Sequence, residues 1–111
     1  MQIATAEHIA RMEAKLDAIA ARLVWIDARL EIGTVNRGDI AAAFGISIPQ
    51  TSNDLKAFQT DHPDCIEYDH RAKTYKRPRR SKPAFPQQLR LQSLYITHAV
   101  GTYRASKENQ S

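Results

Sequence analysis

A short break between two capped helices is the feature that most limits how this chain can fold. Asn36 suits the N-cap of a first short helix, and Asp39 follows at the N3 position, where the helix dipole favours a carboxylate. Gly45 is suited to end that helix, and Ser47 is suited to cap the next one. The sequence therefore predicts two helices joined by only three residues, with Ile46 in the middle.

The second of these helices has two distinct faces. Pro49 lies in its first turn, where a missing N–H group costs nothing, and Ser47 with Gln50 forms a capping-box pattern. With Leu55 taken as the inward direction, an angle of about 100° per residue predicts which side chains face the core. The inward group is Ile48, Thr51, Leu55 and Phe58. The outward group is Pro49, Gln50, Asn53, Lys56 and Ala57, which is mostly polar and has no acid in its middle.

A long N-terminal helix precedes this pair. Its apolar residues recur at alternating spacings of three and four: Ile9, Met12, Leu16, Ile19, Leu23, Ile26 and Leu30. Gly33 is expected to stop this helix as a C′ residue. A helix over residues 6–32 would be about 40 Å long, whereas a globule of this size is about 26 Å across. Either the seam faces its own core throughout, or its first half pairs with a second copy or bends back.

A hairpin is predicted after the third helix, because Ile66 and Tyr68 alternate with polar residues and Tyr75 lies on a returning segment. The turn type is left open. Residues 78–86 contain three prolines and are predicted to be a basic linker. An amphipathic helix is expected from residue 87, with a strand as the alternative, followed by a polar tail over 105–111.

This order of elements is that of a winged helix-turn-helix, with a three-residue, glycine-containing turn before the recognition helix. The predicted fold is mainly α with a small β-hairpin, extended by extra N- and C-terminal helices. The predicted domains are a 1–20 extension, a 21–77 winged helix, a 78–86 linker and an 87–111 helix with its tail.

The positive charge is concentrated late in the chain. Residues 1–61 hold six Lys/Arg against eight Asp/Glu, whereas residues 62–111 hold ten against four, and seven of those ten lie between Arg71 and Lys82. A segregated basic segment suggests a polyanionic partner, with a solvated basic tail as the alternative.

Three sets of candidate site residues follow. For reading DNA bases we expect Gln50 and Asn53, whose amides pair with adenine, together with Ser52 and Lys56. For the DNA backbone we expect Arg37, Thr51, His70, Arg71, Lys73, Lys76, Arg77, Arg79 and Arg80. For dimerisation we expect Ile9, Met12, Leu16, Ile19, Leu89, Ile96 and Val100.

Residues 22–77 resemble the N-terminal DNA-binding domain of WYL-domain transcriptional regulators, including those that control bacterial phage-defence islands, and more loosely DeoR-type winged helices. The matching motifs are Arg22-Leu23, Ile26-Asp27, Leu30, Gly33, Asn36-Arg37, Asp39-Ile40, Phe44-Gly45-Ile46-Ser47, Pro49-Gln50, Ser52, Asp54-Leu55, Pro63, Tyr68-Asp69, Lys73 and Tyr75. The resemblance implies sequence-specific binding to operator DNA, usually as a dimer on an inverted repeat. Because a WYL regulator continues into a sensor domain, we expect this chain to be a stand-alone or reduced relative.

Several function classes are not supported by any motif. The sequence has no P-loop, no dinucleotide-binding glycine pattern, no nucleophile elbow and no metal-ligand spacing around its four histidines. Its one cysteine, Cys65, allows no internal disulfide, and no apolar run is long enough to span a membrane. We therefore expect a cytoplasmic protein that is not an enzyme, with no cofactor, metal, membrane partner or small-molecule ligand.

The expected function is that of a bacterial or phage transcriptional regulator, most simply a homodimeric repressor that binds double-stranded DNA. The alternative is a winged-helix adaptor that binds another protein and no specific DNA, because the fold alone does not fix the function. An RNA-binding role is less well supported, since the stacking aromatic residues of common RNA modules are missing.

Overall fold

The computed structural model describes residues 5–108, and for residues 8–16 it describes the backbone course without the side chains. The chain is mainly helical and has one two-stranded antiparallel sheet. Its elements are α1 (Ala6–Ile32), α2 (Arg37–Phe44), α3 (Ile48–Asp61), a 3-10 turn (Pro63–Cys65), β1 (Glu67–Asp69), β2 (Thr74–Lys76) and α4 (Gln87–Glu108). The predicted fold class, a winged helix-turn-helix with helices at both ends, is confirmed.

The junction between α2 and α3 is built by the predicted caps. The Asn36 side chain accepts the Asp39 N–H and the Asp39 carboxylate accepts the Asn36 N–H, each at 2.9 Å, so both halves of a capping box are present. Gly45 ends α2 in the left-handed conformation, with φ of 65°. Ser47 Oγ then accepts the Gln50 N–H at 3.3 Å. These caps fix where α2 ends and α3 begins, and hence how α3 is presented.

The α1 seam faces the domain's own core from residue 19 onward. Ile19 is partly buried against the core, so its place in a dimer contact stays a prediction, and Ile26 is completely buried. Ile9, Met12 and Leu16 lie outside the residues whose side chains the structure describes. The buried apolar core consists of Leu23, Trp25, Ile26, Ala28, Leu30, Val35, Ile40, Leu55, Phe58 and Ile66.

The hairpin is short and tied to the helical core. Tyr68 pairs with Tyr75 across the two strands, and their rings lie 4.9 Å apart. Val35 extends the ladder, since it exchanges backbone hydrogen bonds of 3.0 and 2.8 Å with Tyr75. The turn is held by Asp69, whose carboxylate accepts the N–H groups of Arg71 and Ala72.

The segment predicted to be a linker is docked on α1. The carboxylate of Asp27 accepts the N–H groups of Ala84 and Phe85 at 3.1 and 2.9 Å. Arg90 of α4 continues this contact, because it pairs with Glu31 of α1 and donates to the Phe85 carbonyl at 3.1 Å. α4 therefore has a fixed starting point against α1.

Three local expectations have different outcomes. Residues 87–108 form the expected helix, so the strand alternative is excluded, and the helix extends into the expected polar tail as far as residue 108. Gly33 directly follows the end of α1 at Ile32, as predicted, and its φ is not positive. Ile48 was expected to face inward and is 46% exposed, because it lies at the first residue of α3, beyond the edge of the core.

Candidate nucleic-acid interface

The outer face of α3 carries the side chains predicted to read bases. Asn53 and Lys56 are exposed, while Ser52 is half-buried. Arg37, in the first turn of α2, donates through Nη1 to Ser52 Oγ at 3.4 Å. Because the capped junction places α2 against α3, Arg37 of α2 lies next to the polar face of α3. The structure therefore brings these four side chains onto one surface.

Gln50 lies on the same turn of α3 but is held by its neighbours. Its Nε2 donates to Asp54 Oδ1 at 3.0 Å, one helical turn further along. Asp54 is buried and forms a bidentate ion pair with Arg22 of α1. Arg22 Nε lies 2.6 Å from Asp54 Oδ2, and Arg22 Nη2 lies 3.1 Å from Asp54 Oδ1. The Gln50 side chain thus completes a buried polar cluster instead of returning to the N-cap, as the capping-box pattern had suggested.

Thr51, which was predicted to contact the DNA backbone, is turned into the protein. Its side chain is fully buried, and its Oγ1 donates to the Ile48 carbonyl at 2.6 Å. The helical period that places Leu55 and Phe58 in the core places Thr51 there as well. It is therefore unavailable to a phosphate, and that assignment is corrected.

The turn between β1 and β2, residues 70–73, is the wing tip. His70, Arg71 and Lys73 are exposed there, and the backbone of Lys73 is left-handed with φ of 55°. The Asp69 carboxylate beneath them binds the N–H groups of Ala72 and Arg71, and these bonds, with Lys76 nearby, hold the pKa of Asp69 below its ordinary value. The same bonds fix the course of the tip.

Lys76 and Arg77 follow the wing tip but are engaged within the protein to different degrees. Lys76 is exposed, with its Nζ 3.7 Å from Glu67 and 3.6 Å from Asp69, so its charge is partly balanced locally. Arg77 has only 13% of its side chain exposed, and its Nη1 lies 2.7 Å from Asp27 Oδ1. Its guanidinium also donates to the carbonyls of Cys65 and Asp27, at 3.0 and 2.8 Å. The expectation that Arg77 contacts the DNA backbone is therefore corrected.

Residues 78–82 form what we call the stem turn. The Ser81 N–H donates to the Pro78 carbonyl at 3.1 Å, and Ser81 Oγ donates to the Asp64 carbonyl. Arg80 is left-handed with φ of 69°, and Arg79, Arg80 and Lys82 are exposed. Since Glu67 pairs with Lys76 and Asp69 with Thr74, the stem turn is at the opposite end of the hairpin from the wing tip. The basic segment is thus split into two cationic surfaces at opposite ends of a hairpin whose strands are each about 10 Å long.

The α1–α4 groove contains the remaining residues predicted for dimerisation. It is an open apolar cavity of about 300 Å³. Its lining includes Ala21 and Val24 of α1, Ala43 and Phe44 of α2, and Leu89, Ile96 and Val100 of α4. Those three α4 side chains are 45%, 56% and 40% exposed. The structure therefore brings them together on one uncovered apolar surface.

Comparison with known proteins places this architecture in a family. A family model for the winged helix-turn-helix domain of BrxR transcriptional regulators matches residues 12–107. The chain belongs to this family. The match starts within α1 and ends in the last turn of α4, so most of each terminal helix lies inside the matched region.

Curated relatives agree with this assignment. DNA-binding transcriptional repressors named CapW match this chain with 38% identity over 65 residues in Escherichia coli (strain KTE188) and 39% over 66 residues in Pseudomonas aeruginosa. The Stenotrophomonas maltophilia repressor CapW is 44% identical over 55 residues. The first two alignments cover 58% and 59% of this chain, and the third covers 49%. They span 22%, 22% and 18% of the relatives, so the chain matches about a fifth of their length.

Neither a membrane-spanning helix nor a metal-binding group is found among the described residues. No helix within residues 5–108 combines the length and the apolar character that crossing a membrane requires. Among the side chains that the structure describes, those of residues 5–7 and 17–108, no group of three or more His, Cys, Asp or Glu is placed to bind a metal ion.

Sequence patterns assigned no functional role to Arg22, Asp27 or Asp54. Their ion pairs and hydrogen bonds fix the positions of α3, the wing and α4 relative to α1. All three stand within the motifs that carry the family resemblance. Their partners, however, are 32 residues away for Arg22–Asp54 and 50 or more for Asp27, so no local spacing reveals the pairs. A hint was available in the family motif, but only the fold shows what these charges contact.

Proposed function

We propose that this chain binds double-stranded DNA in a sequence-specific manner and represses transcription as a homodimer on an inverted repeat. The observation that carries this proposal is the polar outer face of α3, where Asn53 and Lys56 are exposed and Ser52 accepts a hydrogen bond from Arg37. A helix presented in this way by a three-residue junction suits insertion into a major groove. The CapW relatives, which are named DNA-binding repressors, support the same function.

Within this proposal, specificity and affinity come from different surfaces. Asn53, Gln50, Lys56 and Ser52 of α3 read base edges. Arg37 contacts a phosphate next to α3, which would also offset the cost of a cation at the positive end of α2. The exposed wing-tip cations, and separately those of the stem turn, contact the sugar–phosphate backbone outside the groove, with Lys76 as a lesser contributor.

Selection of genomic fragments bound by the whole chain at about 150 mM salt tests the DNA-binding proposal, since nonspecific dissociation constants are about 10⁻⁴–10⁻⁶ M at physiological salt. We expect an enriched inverted repeat with half-sites about 34–36 Å apart, or a multiple of that distance. Asn53→Ala should lose about 1–3 kcal/mol on the selected site and little on random DNA. Gln59→Ala is the matched control, because Gln59 is an exposed amide on the last turns of α3. Equal losses on both kinds of DNA would contradict base reading by Asn53.

The homodimer is proposed from the uncovered apolar surface of α4. Six of its large apolar side chains are at least 40% exposed: Leu89, Leu91, Tyr95, Ile96, Val100 and Tyr103. At about 3.6 residues per turn, Leu89, Ile96, Val100 and Tyr103 share one side of α4, whereas Leu91 and Tyr95 lie on the opposite side. A group of exposed apolar side chains like the first marks an interaction site. A second copy, seated in the α1–α4 groove, would also bring two recognition helices to one inverted repeat.

Light scattering after size-exclusion chromatography tests the dimer. Ile96→Glu should convert a dimer to a monomer, because it places a carboxylate inside the groove. His98→Glu adds the same charge to the same helix outside the groove lining, and it should leave the dimer intact. A monomeric wild type, together with no enriched DNA motif, would favour the adaptor function, for which the same apolar surface would be the binding face.

A further inference from the structure

We propose that Asp54 and Arg22 set which edge of the Gln50 amide faces the DNA, and that this orientation makes Gln50 a reader of adenine. The inference rests on the proposed function, since it assumes that α3 enters a major groove. It concerns two positioning residues that do not themselves reach the bases. The supporting observation is that Gln50 Nε2 donates to the Asp54 carboxylate, which is itself paired with the Arg22 guanidinium.

The chemistry of Asp54 allows the Gln50 amide only one orientation. Its two oxygens are both engaged by Arg22 in a bidentate pair, at 2.6 and 3.1 Å. A carboxylate paired in this way only accepts hydrogen bonds, so it can meet the amide nitrogen of Gln50 but repels the amide oxygen. Asp54 is 2% exposed and the Arg22 side chain 11%, so water competes little with this arrangement.

The bond to Asp54 uses one of the two N–H groups of Gln50. For Gln50 to read adenine, this must be the N–H trans to the carbonyl oxygen, so that the carbonyl oxygen and the N–H beside it stay together on the free edge of the amide. In the major groove adenine presents an N6–H donor next to the N7 acceptor, and these match that edge. Guanine presents two acceptors there, so an amide fixed in this orientation has only one donor for them.

The same anchoring should also strengthen binding. A free glutamine side chain loses rotamer entropy when it binds a base, whereas one already tied to Asp54 has less to lose. Because Asp54 is fixed to α1 through Arg22, the orientation of a base reader on α3 depends on how α1 packs against it. The Gln50–Asp54–Arg22 cluster therefore links the core to the reading face.

The test measures base preference at each position of the site, using a randomised duplex library bound to the whole chain. Gln50→Ala first identifies the base pair that Gln50 reads. At that pair we expect Asp54→Asn to reduce the preference for adenine over guanine by about fivefold or more, the range expected for a bidentate contact. An asparagine can donate as well as accept, so the Gln50 amide becomes free to turn over. Asp61→Asn, a change of an exposed acid on the same helix, is the matched control.

The outcomes separate this inference from the proposed function. A wild type with no base preference would contradict the proposed function and this inference with it. A wild type whose adenine preference depends on Gln50 but survives Asp54→Asn would contradict this inference alone. Loss of preference at every position to the same degree would also contradict it, since a positioning role affects one base pair.

Two further measurements decide the matter if Asp54→Asn does not fold. Arg22→Lys keeps the positive charge but loses the bidentate hydrogen bonding to Asp54, so it should weaken the preference for adenine over guanine at the same base pair. In the wild type without DNA, NMR should show one Gln50 side-chain N–H proton exchanging more slowly than those of the exposed Gln59 amide. Equally fast exchange of both Gln50 protons would overturn the inference.

Discussion

Arg77, at the end of β2, and Asp27, in the middle of α1, form a buried ion pair that joins the wing to the helical core. Nη1 of Arg77 lies 2.7 Å from Asp27 Oδ1, and Nη2 donates to the Asp27 carbonyl at 2.8 Å. The same carboxylate accepts the N–H groups of Ala84 and Phe85. One side chain thus fixes the end of the wing and the start of the segment that leads to α4.

Replacing Arg77 by Met should destabilise the protein by about 3–5 kcal/mol, because it leaves the fully buried Asp27 carboxylate without its counter-charge. Urea unfolding of the whole chain measures the change in the free energy of unfolding. Arg79→Met is the matched control. Arg79 is exposed two residues further on, so its replacement should change stability by no more than about 0.5 kcal/mol. Similar losses in both variants would show that the burial of Arg77 adds nothing to stability.

Gly45 is required by its backbone conformation. Its φ is 65°, where a Cβ is strained, although the nearest atom to such a Cβ would be Arg104 Nη1 at an acceptable 3.5 Å. Gly45→Ala should therefore cost about 1–2 kcal/mol. Gly33→Ala should be neutral or stabilise by up to about 1 kcal/mol, since nothing lies within 4 Å of its Cβ position and its φ is not positive. Thermal unfolding compares the two, and equal effects would contradict the role given to φ.

Local sequence patterns predicted most of the secondary structure of this chain, although they left helix and strand open for the C-terminal segment. The seam spacing placed α1 over residues 6–32, where the structure has it, and Asn36, Gly45 and Ser47 marked the ends of α2 and α3 because each satisfies the backbone within a few residues of itself. Periodicity also placed Leu55 and Phe58 in the core. These features depend on contacts between near neighbours, which a sequence shows directly.

The site was harder to predict, because charge patterning does not tell which cations face inward. Arg77 and Arg79 are two residues apart in one basic run, yet the first is buried against Asp27 and the second is exposed. Gln50 was likewise predicted to read a base and to take part in a capping box, but the sequence did not reveal its hydrogen bond to Asp54 or the pairing of Asp54 with Arg22. Each of these outcomes depends on a partner distant in sequence, so only the assembled fold reveals it.

The wing turn should depend on pH through Asp69. Hydrogen bonds from the Ala72 and Arg71 N–H groups, with the nearby Lys76 charge, lower the pKa of this carboxyl below its ordinary value of 3.8. A lowered folded-state pKa means that the contribution of Asp69 is complete above about pH 3.8 and is lost as the pH falls through the lower value. Carboxyl NMR titration should find that pKa, and the protection of the Ala72 amide, taken as its exchange rate relative to the intrinsic rate at each pH, should fall over the same range. Asp69→Ala should abolish the pH dependence of this protection, and its persistence would assign it to another group.

The salt dependence of DNA binding should distinguish the contribution of the wing tip from that of the stem turn. Each phosphate contact adds about 0.9 to the slope of log affinity against log salt concentration. If the wing tip lies on the backbone, Arg71→Gln should flatten the slope by about that amount and weaken binding to all sequences alike. Arg79→Gln makes the same change of charge at the other end of the hairpin, and Arg77→Gln reports the cost of losing a buried cation. A flattened slope for Arg79→Gln as well would mean that both surfaces bind the backbone. An unchanged slope for Arg71→Gln would remove the wing tip from the proposed interface.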